Sequence, residues 1–96
     1  MSFIVKINQF KDAKSGLYLF LFRVSVEGSL ALLSYASDLD LRFERVCYKD
    51  RVILCSEWFE SLEKAETKMK EIIDYLKNKG GKILIKNAIS EETMEF

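Results

Sequence analysis

Apolar residues recur every three or four positions within Ser61–Gly81, which is the spacing of an amphipathic α-helix. The apolar stripe is formed by Leu62, Ala65, Met69, Ile72, Ile73 and Leu76. Ser61 is placed to cap the first backbone N–H groups, and Gly80 supplies the left-handed residue with which many helices end. A start after Ser56 is the alternative, because Trp58 falls on the same stripe. The pattern predicts one long helix whose apolar side covers another layer of structure.

Much of the remaining chain alternates between two faces, which is the pattern of β-strands. The predicted strands are Phe3–Asn8, Leu17–Val26, Ser29–Ala36, Leu39–Tyr48, Arg51–Cys55 and Lys82–Asn87. Glu27 with Gly28, and Lys49 with Asp50, are predicted as the turns of two hairpins. A helix is the alternative for Ser29–Ala36, since Leu and Ala favour helices.

These elements predict an α+β fold, in which a mostly antiparallel sheet of five to six strands with two hairpins is covered on one face by a single long amphipathic helix. The predicted order is β-β-β-β-β-α-β. We expect residues 1–87 to form a single α+β domain and residues 88–96, with Glu91, Glu92 and Glu95, to form an acidic C-terminal tail.

The strand Leu17–Val26 is apolar on both faces over most of its length. The single predicted helix covers part of one face of the sheet, and soluble monomers rarely expose large apolar patches. We therefore expect a two-fold homodimer that buries sheet against sheet or pairs edge strands into a continuous sheet. The candidate interface residues are Leu19, Phe20, Leu21 and Phe22. If Ser29–Ala36 is a second helix that covers the other face, the protein is a monomer.

Composition argues against most enzyme classes. The 96-residue chain contains no histidine, which removes the commonest general base and metal ligand. Cys47 and Cys55 lie on the two arms of a predicted hairpin and are expected to be free buried thiols, with a disulfide as the alternative. Asp38 and Asp40 form the closest carboxylate pair and are expected to be solvated. The sequence predicts no catalytic residue, no cofactor and no metal site.

The charges are balanced, with 15 basic and 15 acidic residues, so no basic field extends over the whole protein. Apolar runs are too short to span a bilayer, and the N-terminus lacks the pattern of a signal peptide. We expect a cytoplasmic protein with no membrane partner. The excess of Lys and Glu over Gln is typical of thermophile surfaces, whereas the lack of proline is not.

One flank of the predicted helix carries lysines with an aromatic residue between them. Its members are Lys64, Lys68, Tyr75 and Lys79. Lysines could follow a phosphate backbone while tyrosine stacks on a base. The alternative is a solvated helix face whose lysine stems lie along the apolar stripe.

Two hypotheses of function follow. The first is a small non-enzymatic interaction module that self-associates and binds another macromolecule, such as a second protein. The second is a single-stranded nucleic-acid-binding protein that uses the sheet and the flank Lys64, Lys68, Tyr75 and Lys79.

Overall fold

The computed structural model describes residues 2–12 and 19–94, with side chains at all of these positions except 12, 19, 48 and 87–94. The elements are β1 (Ser2–Asp12), β2 (Leu19–Ser29), a 3₁₀ helix (Leu30–Tyr35), α1 (Ala36–Leu39), β3 (Arg42–Tyr48), β4 (Arg51–Cys55), α2 (Leu62–Asn78) and β5 (Lys82–Met94). The described strands form one sheet in the order β3-β4-β2-β1-β5. All neighbours are antiparallel except the parallel pair β1 and β5. The predicted α+β class and mostly antiparallel sheet are confirmed.

The helix α2 begins where the capping pattern predicts. The Ser61 hydroxyl accepts a hydrogen bond from the Lys64 backbone N–H at 3.2 Å, and Gly80 takes the left-handed conformation at φ +79°. The alternative start after Ser56 is wrong. The buried Ser56 hydroxyl instead accepts a hydrogen bond from the Val24 backbone N–H at 2.9 Å, which ties the incoming loop to β2. No helix in the described part of the chain is long and apolar enough to cross a membrane.

Residues 30–36 are helical, so the prediction of Ser29–Ala36 as a separate strand is wrong and the described sheet has five strands. The predicted turn at Glu27 and Gly28 is also absent from the described chain, because β2 continues to Ser29 and pairs there with β4. Gly28 instead allows the ring of Phe3 to pack closely against the backbone of β2. A Cβ atom at Gly28 would lie 2.6 Å from Cδ1 of Phe3, which is too close for any larger residue without rearrangement.

The core lies between the sheet and the helices that pack on one side of it. β1, β2 and β4 present alternate residues to this side, and α2 and the 3₁₀ helix cover them. The largest fully buried side chains are Phe3, Val5, Val24, Val26, Leu32, Leu39, Val52, Leu54, Ile72 and Leu76. The predicted apolar stripe of α2 faces this core, because Ala65, Ile72 and Leu76 are buried there.

The last strand is longer than predicted. It pairs with β1 from the Ser2–Lys82 pair to the Asp12–Met94 pair, with an irregularity between Lys6 and Asn8. Residues 88–94, which the sequence assigns to an acidic tail, therefore continue an edge strand of the sheet.

Candidate functional site on the open face of the sheet

The described helices all pack on one side of the sheet, which leaves the opposite side open. We call this side the open face. Strand register places on it Ile4, Lys6, Asn8, Phe10, Leu21, Arg23, Ser25, Glu27, Arg45, Ile53, Cys55 and Lys86. The end near Phe10 and Leu21 is predominantly apolar, and on β5 the exposed Leu84 lies opposite Ile4 on the same face. The centre is polar and charged, which differs from the apolar second face expected from Leu17–Val26.

Two adjoining depressions of about 140 Å³ each form a trough in the open face. They share Lys6, Ser25, Arg45 and Ile53 as lining residues. The short side chain of Ser25 leaves space between β1 and β3, and longer side chains form the walls. The consecutive residues Glu44 and Arg45 both line the trough region, because β3 carries an irregularity between Phe43 and Arg45. Such bulges redirect side chains that would otherwise alternate between the faces.

Three basic side chains surround the trough. Lys6 and Lys86 are direct cross-strand partners on β1 and β5, and Arg45 reaches the same space from β3. Within the residues that the structure describes, none of the three forms an ion pair. Like charges directly opposite each other in a sheet destabilise it. Glu27 and Glu44 also line the trough, but they form ion pairs with Arg51 and Arg23. The charge that remains is positive, so an anion in the trough would lower the energy of the protein.

One end of the trough is closed by an arginine that its neighbours hold rigidly. The Arg23 guanidinium lies 4.5 Å from the centre of the Trp58 ring and 5.7 Å from that of Phe10, and the two rings meet edge to face at 4.2 Å. Its Nη2 donates to Oε1 of Glu44 at 2.8 Å. Stacking on aromatic rings and a charged hydrogen bond together fix the position of this side chain. Its buried Nε has no hydrogen-bond partner in the described structure.

Asn8 forms part of the floor of the trough and is only 7% exposed. Its Nδ2 donates to the Ser25 hydroxyl at 3.4 Å, which is a long bond. Among the described atoms, its Oδ1 has no hydrogen-bond partner. A buried polar atom without a partner costs about 1–3 kcal/mol, so it marks a position where a ligand can supply the missing bond.

The two cysteines are free, as predicted, and neither is activated. Burial, together with the hydrogen bond that Cys55 Sγ donates to Glu44 at 2.9 Å, raises the pKa of the Cys55 thiol to about 12. A hydrogen bond with Glu27 raises the pKa of Cys47. Burial alone would raise the pKa of Glu44, but hydrogen bonds from Cys55 and Arg23 outweigh it and lower that pKa. Because the thiolate is the reactive form, these thiols are poor nucleophiles at neutral pH.

The predicted helix flank lies on α2, away from the open face, and is largely engaged within the molecule. Lys68 Nζ donates to the Leu39 carbonyl at 2.6 Å, and the Tyr75 hydroxyl donates to Asp38 at 2.6 Å. The second bond raises the pKa of Tyr75 to about 12. Lys79 Nζ lies 5.3 Å from the centre of the Tyr75 ring. The bonds to Leu39 and Asp38 hold α1 against α2. Lys64, the fourth member of the flank, is exposed.

The predicted interface residues do not form one patch. Phe20 is 40% exposed, whereas Phe22 packs against the core and its backbone pairs with Phe59. Leu21 is half-buried on the open face, opposite Phe10 of β1. The Leu19 side chain lies outside the described residues. The apolar surface that the structure exposes is instead concentrated at the edges of the sheet, at Phe43, Val46, Leu84 and Ile85, and on the 3₁₀ helix, at Leu30 and Leu33.

The sequence alone predicts only part of the grouping of residues that forms the trough. The alternation of Phe3–Asn8 already places Lys6 and Asn8 together on the less apolar face of β1. In contrast, Arg45 depends on the irregularity in β3, and Lys86 depends on the long-range pairing of β5 with β1. Short sequence windows carry no signal for either.

The described residues contain no cluster of three or more Cys, Asp or Glu side chains that could hold a metal ion. Comparison with known proteins finds no family model that matches the chain, and no curated protein or solved structure that is similar to it.

Proposed function

We propose that the protein is a non-enzymatic module that binds single-stranded nucleic acid in the trough of the open face. The observation that carries this proposal is the set of Lys6, Lys86 and Arg45, which converge on one space without an ion-pair partner among the described residues. A phosphate group between them would replace mutual repulsion by attraction and release counterions from the nucleic acid. The net charge of the protein is zero, so binding would depend on this local basic patch.

The shape of the trough favours a single strand over a duplex. Each depression, at about 140 Å³, admits a group the size of one ring. The bases of a single strand can be inserted into such a space, whereas those of a duplex are paired and stacked inside the helix. The cluster of Arg23, Trp58 and Phe10 at one end adds aromatic and guanidinium surfaces of the kind on which unpaired bases stack.

Titration of a fluorescein-labelled, mixed-sequence oligonucleotide tests this function by fluorescence anisotropy. We expect micromolar or tighter binding at low salt. If three cations each neutralise one phosphate, the logarithm of the association constant falls with the logarithm of salt concentration with a slope of about −2. A duplex of the same length serves as the control and should bind more weakly. No anisotropy change at low salt, or affinity that is independent of salt, would contradict the proposal.

We also propose that the protein self-associates through the edge of β3. Phe43 and Val46 are 56% and 57% exposed on this outermost strand, on the same side of the sheet as α2. Each pairs with a buried residue of β4, so their exposed surface extends the core to the edge of the sheet. A second copy is the suitable partner because the net charge is zero and two copies do not repel each other at long range.

Sedimentation equilibrium of the protein and its Phe43→Lys variant tests the self-association. We expect a dimer for the unchanged protein and a monomer for the variant, because a lysine in an apolar contact loses its hydration. Leu84→Lys is the matched control, since Leu84 is 58% exposed on the opposite edge strand. A monomeric unchanged protein at micromolar concentration excludes this interface.

A further inference from the structure

We infer that the depression lined by Asn8 and Arg23 is a subsite for one pyrimidine base of the bound strand. The inference rests on the proposed function and adds a preference among bases to it. It is carried by two features of the same depression, its size and its two polar atoms without partners.

The size of the depression matches one six-membered ring. Its volume is about 140 Å³, and an engineered protein cavity of about 150 Å³ is known to hold benzene. The fused rings of a purine need more space than this. The depression therefore admits one ring, and the second ring of a purine stays outside it.

The two unpartnered atoms form a complementary pair, one acceptor and one donor. Among the described residues, Asn8 Oδ1 lacks a donor and Arg23 Nε lacks an acceptor, and both side chains line the depression. Each pyrimidine presents a donor next to an acceptor on its pairing edge, namely the N4 amino group and N3 of cytosine, or N3–H and O4 of thymine and uracil. The hydrogen bond from Nδ2 to Ser25 sets the orientation of the Asn8 amide and leaves Oδ1 as the acceptor of the pair.

The neighbouring cations would position the rest of the nucleotide. Lys6 and Arg45 line both depressions of the trough, so a phosphate held between them lies beside the proposed base subsite. Phosphate contacts fix the register of the strand, and the polar atoms of the subsite then select the base.

The test compares the affinities of labelled homopolymers of deoxycytidine, thymidine and deoxyadenosine. Adenine carries the same donor and acceptor, at N6 and N1, but its fused rings are too large to bring them to Asn8 and Arg23 in this depression. We therefore expect both pyrimidine strands to bind about tenfold more tightly than the adenine strand, which leaves this bidentate contact unmade. Asn8→Leu should reduce the preference for pyrimidine strands to less than about twofold, because it removes the acceptor of the subsite. Asn78→Leu makes the same chemical change at the exposed end of α2 and should retain the preference.

Each failure has a distinct signature. If no homopolymer binds to the unchanged protein at low salt, the proposed function is wrong. If all three bind equally, the function stands and the base subsite is wrong. Pyrimidine strands stack less strongly than adenine strands, and a preference with this origin would persist in Asn8→Leu and also overturn the inference.

A measurement on the unchanged protein avoids dependence on the folding of any variant. Cytidine monophosphate should shift the side-chain amide resonances of Asn8 in a ¹⁵N-correlated NMR spectrum, and adenosine monophosphate should leave them in place. Equal shifts with both nucleotides, or none with either, contradict a pyrimidine subsite at Asn8.

Discussion

The Lys6→Glu variant should bind single-stranded oligonucleotides about 100-fold more weakly at low salt, and its fold should be slightly more stable than that of the unchanged protein. A hydrogen bond to a charged phosphate contributes about 1.5–3 kcal/mol, and the new carboxylate repels the strand in addition. In the free protein, the same change replaces a repulsive pair by an attractive one opposite Lys86, which is worth about 0.2–1 kcal/mol. Anisotropy titration measures the first effect and urea denaturation the second.

Lys64→Glu is the control for this prediction. This variant changes the net charge by the same amount as Lys6→Glu. Lys64 is exposed on α2, away from the open face, and belongs to the helix flank that the sequence suggests as a binding surface. With both variants compared at about 0.1 M salt, we expect the affinity of Lys64→Glu to fall less than about threefold, since the Debye length is then about 10 Å and an exposed charge away from the open face is largely screened. The reverse result, strong loss in Lys64→Glu and none in Lys6→Glu, would move the binding surface from the trough to α2.

Local patterns predicted the parts of the fold that local physics controls. The apolar stripe and the capping serine of α2 are readable because each depends on neighbours within one or two helical turns. The alternation within Phe3–Asn8 is readable because a strand with one buried face must repeat every two residues. Both patterns survive in the structure, where Ser61 caps α2 and Phe3, Val5 and Ile7 of β1 enter the core.

The misread parts depend on contacts between residues far apart in the sequence. Gly28 looks like a turn residue, but it is small because the ring of Phe3 occupies the space of its side chain. Lys68 and Tyr75 look like free surface groups, yet they form hydrogen bonds with Leu39 and Asp38 of α1, which lies well before α2 in the chain and packs against it. Sequence spacing within the helix gives no information about what packs against its flank.

The same reason limits what the sequence shows of the trough. Lys6 and Asn8 are predicted to share a face, but a pair of polar residues on a strand is ordinary for a solvated surface. The site exists because β5 returns parallel to β1 and places Lys86 beside Lys6, and because irregular β3 turns Arg45 toward them. A cluster assembled from three strands becomes visible only when the strand order is known.

Leu32→Ala should destabilise the domain by about 2–5 kcal/mol, the usual range for truncating a fully buried leucine. Leu32 is 0% exposed and is the buried residue of the 3₁₀ helix, where it lies beside the position of Gly28. Domains of this size are stable by about 5–15 kcal/mol, so the loss is a large fraction of the total. Urea denaturation followed by circular dichroism gives the free energy of unfolding for each variant.

The Leu30→Ala variant tests whether this segment is helical, as in the structure, or a strand, as its sequence suggests. In a strand, Leu30 and Leu32 would lie on the same face and would be equally buried, so the two substitutions would cost similar amounts. In the helical structure Leu30 is 53% exposed, and its truncation should change the free energy of unfolding by no more than about 0.5 kcal/mol. Equal losses of stability in Leu30→Ala and Leu32→Ala would instead indicate that this segment is a strand. A loss confined to Leu32→Ala fits a helical segment that covers the core beside α2 and leaves the open face, with Lys6, Arg45 and Lys86, free for a ligand.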